Sequence, residues 1–376
     1  MFPGVVSKSP VGAPFRIAYN SPSCGFLIMT VAVRSFAKIN LGLYIGAARA
    51  DGFHDLRTVY QTIALHDLIR VSVGRNSGRG SGIEITCKDP RVPLDASNTC
   101  YRTARRVMEE LGCAGRVRIE IEKRLPVQGG LGAASSNAVA TMLALETALK
   151  KKLSGPARLR IAADVGSDLP LFLMGGMVLG VGRGEEVYPL PDLPAIPMVV
   201  VTPEVGVSTP QAFVDWDALV QRKKAAEPRS AGQPMAAVPT RQLTGAHSSD
   251  RLGKVGCALS AWLTDLNSGY PNTGASAKGG SRVGKLLSDL VRTGIENDFE
   301  KVVFPEYPEL RDIKGELERA GSRYASLSGS GSTLYGLFRT AGEAEKAAGR
   351  LQKQGLKAVV TSTLTRQRYW KKILDR

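Results

Sequence analysis

Apolar and polar residues recur along this chain with the two periods of regular secondary structure. Segments rich in β-branched residues, several of them alternating between apolar and polar positions, predict strands near residues 30–46, 58–73, 82–86, 116–122, 177–181, 197–202 and 333–338. Apolar residues spaced three and four positions apart predict helices near residues 98–111, 135–150, 154–166, 283–292, 308–319 and 341–353. Because strands and helices mix without a regular strand–helix–strand repeat, we expect an α+β fold rather than a doubly wound α/β fold.

The length and composition are typical of a globular protein with about two domains. Of the 376 residues, 43% are hydrophobic and 22% are charged, which excludes a largely disordered chain. No apolar run approaches the roughly 18–20 residues that a membrane-spanning helix needs, so we expect no membrane partner. The five cysteines are scattered and form no C-x-x-C pair, which fits a reducing compartment and predicts a cytoplasmic protein.

The net charge of +16 raises the question of a nucleic-acid partner or an anionic ligand. Most of the excess lies in residues 222–282, with nine basic and three acidic residues, and in residues 339–376, with ten and three. Residues 222–282 are also rich in Gly, Ser, Ala and Pro, so we interpret them as a low-complexity surface insertion. The alternative is a nucleic-acid-binding arm. Because aromatic residues are not interleaved with the basic ones, as a base-stacking surface requires, we predict no nucleic-acid partner.

Residues 1–28 differ from the strongly patterned segment that begins at Met29. Polar residues and prolines interrupt their apolar stretch, and no cleavage site of the signal-peptide type follows a hydrophobic run. We therefore interpret residues 1–28 as a disordered leader or an over-long start.

A glycine-rich stretch at residues 126–137 lies between a predicted strand and a predicted helix. Small residues allow the backbone to approach a ligand, and the helix N-terminus presents unpaired N–H groups, which together favour a phosphate site. The stretch has neither the G-K-[ST] of a Walker A loop nor the G-x-G-x-x-G of a dinucleotide site. A purely structural turn is the alternative.

Three further stretches contain candidate chemistry. Asp168 stands in a G-S-D-L-P sequence, where it is either a turn former or a carboxylate that accepts a proton. Residues 326–333 are a Ser/Gly repeat that is either a hairpin turn or a second wall of a phosphate site. Lys38 lies within a strand pattern, where lysine side chains more commonly face solvent.

Taken together, the order and spacing of these four stretches resemble the GHMP kinases, over about residues 29–215 and 286–338. The resemblance implies a ribosomal protein S5 domain 2-like N-terminal domain at 29–195 and a ferredoxin-like C-terminal domain at 196–376 that contains the insertion. The active site would lie in the cleft between them. The pair A-K-I-N-L and D-G-F-H resembles the branch of the family that acts on a cytidine diphosphate derivative of methylerythritol.

The resemblance also implies roles for individual residues. Lys38 and Asp168 would be catalytic, with Asp168 accepting the proton of the substrate 2-hydroxyl and Lys38 orienting that hydroxyl. ATP, with Mg²⁺, would be bound by Asn98, Lys123, Pro126, Gly129, Gly130, Leu131, Gly132, Ser135, Ser136 and Asn137. The cytidine substrate would be bound by Asn40, Phe53, His54, Thr209, Phe213, Gly329, Ser330 and Gly331.

The sequence departs from the family pattern at a few positions. Gln128, Ala133 and Ala134 stand where the family usually has glycine, and Phe53 stands where tyrosine is usual. The alternatives within this resemblance are another small-molecule kinase, of the homoserine or mevalonate type, and a non-catalytic binding protein of the same fold. We expect a monomer or a homodimer.

Overall fold

The computed structural model describes residues 30–74, 82–226 and 294–374. The leader at 1–28, the helix predicted at 283–292 and residues 227–282 of the predicted insertion lie outside the described residues.

The first sheet is built around two long antiparallel strands. Its members are β1 (Thr30–Ala48), β2 (His54–Gly74), β3 (Ile83–Cys87), β4 (Arg116–Glu122), β5 (Met177–Val181) and β6 (Glu186–Pro189). β1 pairs with one edge of β2 along most of its length. The other edge of β2 pairs with β5 at residues 58–61 and with β4 at residues 68–74. β3 runs parallel to β4, and α1 connects the two.

Four helices cover this sheet and form the first core with it. They are α1 (Thr99–Glu110), α2 (Ala133–Leu149), α3 (Gly155–Val165) and α4 (Leu169–Met174). The central one is α2, in which every residue from 136 to 146 is buried. Ala104, Val107 and Met108 of α1 are buried at the positions that the helical spacing predicted.

The second sheet contains β7 (Pro197–Val201), β8 (Tyr324–Leu327), β9 (Leu334–Leu337) and β10 (Ala358–Ser362). Its strand order is β10-β7-β9-β8, and each neighbouring pair is antiparallel. The helices of this half are α5 (Thr209–Ala226), α6 (Glu300–Glu306), α7 (Pro308–Arg319), α8 (Ala341–Lys353) and α9 (Arg366–Leu374). This is the strand order of a ferredoxin-like sheet, so the predicted α+β, two-part architecture is confirmed.

The two sheets are joined by shared packing. A third apolar core contains Ile39 and Ile63 of the first sheet together with Met198 and Leu337 of the second. In addition, α9 returns to the first core, where the Tyr369 hydroxyl donates to the Phe172 carbonyl at 2.7 Å. The domain bounds at 195 and 196 stay a prediction.

The strong strand and helix patterns are confirmed within the described residues, whereas short or weakly patterned elements were missed. The missed elements are α4, α5, α6, β6, β8, β10 and α9. One interpretation of Asp168 was a turn former, but the structure places this residue immediately before α4. Proline is compatible with the first turn of a helix, since its missing N–H has no intrahelical partner there. None of the helices that the structure describes is long and apolar enough to cross a membrane.

Candidate active site

Lys38 is a buried lysine in the middle of β1. Its backbone N–H donates to the Leu131 carbonyl at 3.0 Å, which ties β1 to the glycine-rich loop. Its ammonium group donates to Asn40 Oδ1 at 2.7 Å and lies 3.5 Å from Asp168 Oδ2. Burial lowers the pKa of Lys38 from its ordinary 10.5, and the Asp168 carboxylate opposes that shift. The structure thus brings together the predicted lysine and the predicted carboxylate.

Asn40 fixes the direction of the lysine because both ends of its amide are occupied. Its Nδ2 donates to Thr58 Oγ1 on β2 at 2.7 Å, and that hydroxyl donates to the Gly42 carbonyl at 2.8 Å. Residues 38 and 40 are two apart on one strand, so their side chains lie on the same face of the sheet. A chain of hydrogen bonds across β1 and β2 therefore ends at the Lys38 ammonium group.

Asp168 directly precedes α4, and 31% of its side chain is exposed, so a ligand can reach it. The Tyr60 hydroxyl of β2 donates to Asp168 Oδ1 at 3.1 Å. Sequence reasoning missed Tyr60, because the two residues are 108 positions apart. Tyr60 stands opposite Asn40 in the pairing of β1 with β2, so only knowledge of that register could have identified it.

The first glycine-rich loop, residues 129–132, leads directly into α2. Gly130 and Gly132 have φ angles of +75° and +67°, in the left-handed region that favours glycine. A Cβ atom at Gly129 would lie 2.8 Å from Pro126 Cγ, and one at Gly132 would lie 3.0 Å from Lys38 Cγ. Glycine is therefore required here both for the backbone conformation and for close packing against the lysine.

The second glycine-rich loop, residues 328–332, packs against the first. Ser328 Oγ donates to the Gly130 carbonyl at 3.0 Å, and a Cβ atom at Gly130 would collide with the Ser328 carbonyl. A Cβ atom at Gly329 would lie 3.6 Å from Lys38 Nζ, and Gly331 has a φ of +100°. The two loops, which are far apart in the sequence, therefore meet beside Lys38.

A buried asparagine and a pair of hydroxyl groups hold the second loop. Asn297 Nδ2 donates to the carbonyls of Leu327 and Gly329, at 2.9 and 2.7 Å. The hydroxyl oxygens of Thr209, at the start of α5, and Ser330 lie 2.7 Å apart. The structure thus brings Thr209, one of the residues predicted to bind substrate, to the glycine loop, and adds Asn297, whose role the sequence did not reveal.

Two of the predicted nucleotide-binding residues, Lys123 and Asn137, contact a buried carboxylate that sequence reasoning also missed. Asp67 Oδ2 accepts from Lys123 Nζ at 2.5 Å and from Asn137 Nδ2 at 3.1 Å, and its Oδ1 accepts from the backbone N–H groups of Arg124 and Leu125, at 2.7 and 2.8 Å. Asp67 is fully buried, so this network holds the segment after β4 against β2 and α2.

Three further residues of this set, Asn98, Ser135 and Ser136, lie at the starts of α1 and α2. Asn98 caps α1, since its Oδ1 accepts from the backbone N–H of Cys100 at 2.8 Å. Ser136 Oγ accepts from Ser35 Oγ at 2.7 Å and is buried, whereas Ser135 is partly exposed. Ser135 is therefore the more accessible of the two hydroxyls at the start of α2.

The residues predicted to bind the cytidine base make two sets of contacts. His54 stacks on Phe213, with ring centroids 4.8 Å apart and an angle of 10° between the planes. His54 Nε2 also lies 2.8 Å from Asp217 Oδ1 on α5. Phe53 is 50% exposed, and its ring centroid lies 5.0 Å from the Arg183 guanidinium carbon. An accessible aromatic face is thus available at Phe53, and His54 is held by α5.

The described residues can be examined for side chains that could be ligands of Mg²⁺. Among the described residues, no group of three His, Cys, Asp or Glu side chains is placed to hold a metal ion. A hard oxygen atom is instead available in the partly exposed Ser135 hydroxyl at the start of α2. Because Mg²⁺ is commonly held by one or two protein oxygens together with substrate phosphates and water, this hydroxyl fits an ion shared with a nucleotide.

Two protein families match the chain. The family described as GHMP kinases N terminal domain matches residues 98–176, and GHMP kinases C terminal matches residues 277–357. The first of these spans the loop before α2 and Asp168.

Individual relatives extend this likeness over most of the chain. A 4-diphosphocytidyl-2-C-methyl-D-erythritol kinase of Solibacter usitatus is 37% identical over 307 residues, covering 82% of this chain and 81% of that protein. The kinase of the same name from Moorella thermoacetica is 32% identical over 330 residues, covering 88% and 98%.

Solved structures agree with the fold. A crystal structure of 4-(cytidine 5'-diphospho)-2C-methyl-D-erythritol kinase is 27% identical, with a TM-score of 0.60 over 89% of this chain and 99% of that one. A homoserine kinase from Cytophaga hutchinsonii has a TM-score of 0.63 over 92% and 98%, but at 20% identity it is similar in fold alone. The chain therefore belongs to the GHMP kinases, which use ATP to phosphorylate small molecules, and within them to the family of 4-diphosphocytidyl-2-C-methyl-D-erythritol kinases.

Proposed function

We propose that this protein transfers the γ-phosphoryl group of ATP to the 2-hydroxyl of 4-(cytidine 5'-diphospho)-2-C-methyl-D-erythritol. The products are the 2-phosphate and ADP, and the reaction belongs to the non-mevalonate route to isoprenoid precursors. The observation that carries the proposal is the Lys38–Asp168 pair, 3.5 Å apart, placed where two glycine-rich loops meet. The names of the relatives support the choice of substrate.

The first glycine-rich loop and the start of α2 would bind the ATP phosphates. The backbone N–H groups of a helix N-terminus are unpaired and lie at the positive end of the helix dipole, so they favour negative charge. The Ser135 hydroxyl would hold Mg²⁺, which when bound neutralises charge on the phosphate oxygens.

Asp168 and Lys38 would act on the substrate hydroxyl. Phosphoryl transfer needs mainly in-line positioning and charge stabilisation, since bond breaking to the leaving group runs ahead of attack in a loose transition state. The exposed part of Asp168 accepts the proton of the 2-hydroxyl as the new bond forms. The Lys38 ammonium group, held by Asn40, orients the hydroxyl beside that carboxylate.

Phe53, His54 and Phe213 would recognise the cytosine base. The half-exposed Phe53 ring supplies a stacking surface, and the His54 ring, held by Asp217 and stacked on Phe213, forms the wall beside it. The second glycine loop, held by Asn297 and Thr209, would pack against the rest of the substrate.

A coupled assay of ADP release over a panel of alcohols tests the proposal. We expect efficient turnover of the cytidine compound and poor turnover of methylerythritol phosphate, homoserine and mevalonate. Comparable turnover of one of the latter would overturn the assignment of substrate, although the kinase family would stand.

A second measurement tests the base pocket. Replacing a stacked aromatic by alanine costs roughly 1–3 kcal/mol, so Phe53→Ala is expected to raise KM for the cytidine compound by about 5- to 150-fold, with KM for ATP changed much less. The control is Tyr188→Ala, another half-exposed aromatic, on β6, which is expected to change neither KM. An unchanged KM in Phe53→Ala would exclude stacking on this ring.

A further inference from the structure

Tyr60 lies at the catalytic pair, although the sequence did not mark it as functional. We propose that Tyr60 is a positioning residue for Asp168: its hydroxyl holds Oδ1 of the carboxylate, so that Oδ2, beside Lys38, takes the proton of the substrate hydroxyl. The inference rests on the proposed function, in which Asp168 is the proton acceptor.

The hydrogen bond constrains a side chain that is otherwise free to rotate. The terminal torsion of an aspartate has broad, roughly two-fold preferences, so the carboxylate plane is set by its partners. Here the Tyr60 hydroxyl donates to Oδ1 at 3.1 Å, while Lys38 Nζ lies 3.5 Å from Oδ2. The two contacts fix the carboxylate plane from both sides. Burial and the negative charge of Asp168 raise the pKa of Tyr60 well above 10, so its hydroxyl stays a donor at neutral pH.

Tyr60 can hold the carboxylate because its own ring is buried and closely enclosed. The side chain is 3% exposed, in a central strand that pairs with both β1 and β5. A Cβ atom at Gly180 would lie 2.5 Å from Tyr60 Cε2, and one at Gly184 would lie 2.6 Å from the Tyr60 hydroxyl. The two glycines therefore form a slot that matches the ring and its hydroxyl group.

The same ring also faces the other member of the pair. Lys38 Nζ lies 5.5 Å from the ring centroid of Tyr60, within the range of a cation–π contact. One rigid side chain thus contacts both charged groups, and the removal of its hydroxyl leaves the contact with the ammonium group in place.

The test is Tyr60→Phe, which keeps the ring in its slot and deletes only the donor. The net free energy of a hydrogen bond to a charged group corresponds to a factor of about ten or more in rate. We therefore expect kcat to fall about tenfold. KM for ATP and for the cytidine compound should change less than about twofold, because the proposed contact is with Asp168 rather than with a ligand. The control is Tyr369→Phe, which deletes another buried tyrosine hydroxyl, bonded to a carbonyl, and should leave kcat unchanged.

The outcomes separate this inference from the proposed function. A kcat within twofold of the wild-type value in Tyr60→Phe, with Asp168→Asn inactive, would overturn the role of Tyr60 and leave the proposed base in place. A raised KM with an unchanged kcat would also overturn it, since Tyr60 would then contact substrate. Near-normal turnover in Asp168→Asn would instead remove the proposed base itself.

Discussion

The two carboxylate oxygens of Asp168 contact Lys38 and Tyr60. Its proposed role as proton acceptor can be tested by replacing one of these oxygens with an amide nitrogen. Asp168→Asn keeps the shape of the side chain but removes its ability to take a proton. Because general base catalysis is worth about 10²–10⁴-fold, we expect kcat to fall by that factor while the Kd for ATP changes less than about threefold. Single-turnover kinetics and nucleotide titration measure the two quantities.

The matched control for this change is Asp164→Asn. Asp164 lies near the end of α3, half exposed, 3.9 Å from Arg106 on α1. The Asp164→Asn variant should retain the wild-type kcat. Equal losses of kcat in both variants would show a general effect on folding rather than an effect on proton transfer.

The lowered pKa of Lys38 is expected to make activity fall and stability rise as the pH increases. Its lowered pKa means that the ammonium group is lost below the ordinary 10.5 as pH rises, so kcat should decline along an alkaline limb below that value. At a pH between the pKa of Lys38 in the folded protein and its pKa in the unfolded chain, the unfolded chain binds more protons than the folded protein does. The contribution of Lys38 to the free energy of unfolding therefore rises with pH over this window.

The pH profile of kcat measures this effect. Lys38→Arg serves as the comparison, because a guanidinium group stays charged to higher pH and should move the alkaline limb upward. A limb at the same pH in both proteins would assign it to another group.

At the scale of the element, the conformation of the loop and of the first turn of α2 bears on the three positions at which this chain lacks the family's usual glycine: Gln128, Ala133 and Ala134. Gln128 has a φ of 59°, and this left-handed conformation costs a non-glycine residue about 1–2 kcal/mol. A glycine at this position would avoid that cost, but it would lose about 0.5–1 kcal/mol more in backbone entropy on folding. Ala133 and Ala134 are instead the first residues of α2, where alanine favours the helix.

The substitutions should therefore have opposite signs. We expect Gln128→Gly to raise the free energy of unfolding by about 0.5 kcal/mol and Ala134→Gly to lower it by a similar amount. Chemical denaturation at constant m-value measures both. The same sign for the two would mean that the loop conformation, rather than helix propensity, governs both positions.

At the scale of the whole molecule, the low-complexity stretch after α5 is predicted to be dispensable. Deletion of residues 227–276, with a short Gly/Ser linker, preserves α5 and the segment that matches the GHMP kinases C terminal family. Since the closure entropy of a loop depends only weakly on its length, we expect kcat to stay within about tenfold of wild type. Loss of cooperative unfolding or of all turnover would show that these residues pack into the enzyme.

Within this molecule, the sequence alone determined the elements whose pattern is local. The periodicity of α1, α2, β2 and β4 predicted their positions, and the glycines of both loops marked places where backbone must bend or approach closely. Lys38 and Asp168 followed from a resemblance carried by short motifs. Such features depend on neighbouring residues, since side-chain spacing and backbone dihedral angles are set within a few positions.

Only the tertiary structure decided which distant residues support the site. Tyr60 reaches Asp168 because β2 pairs with β1 and β5, and Asp67 is buried because α2 and the segment after β4 pack over it. Likewise, α9 packs on the first core although it follows the second sheet in the chain. These contacts join residues far apart in sequence, and such pairings depend on strand register and helix packing, which a local pattern of polar and apolar positions does not encode.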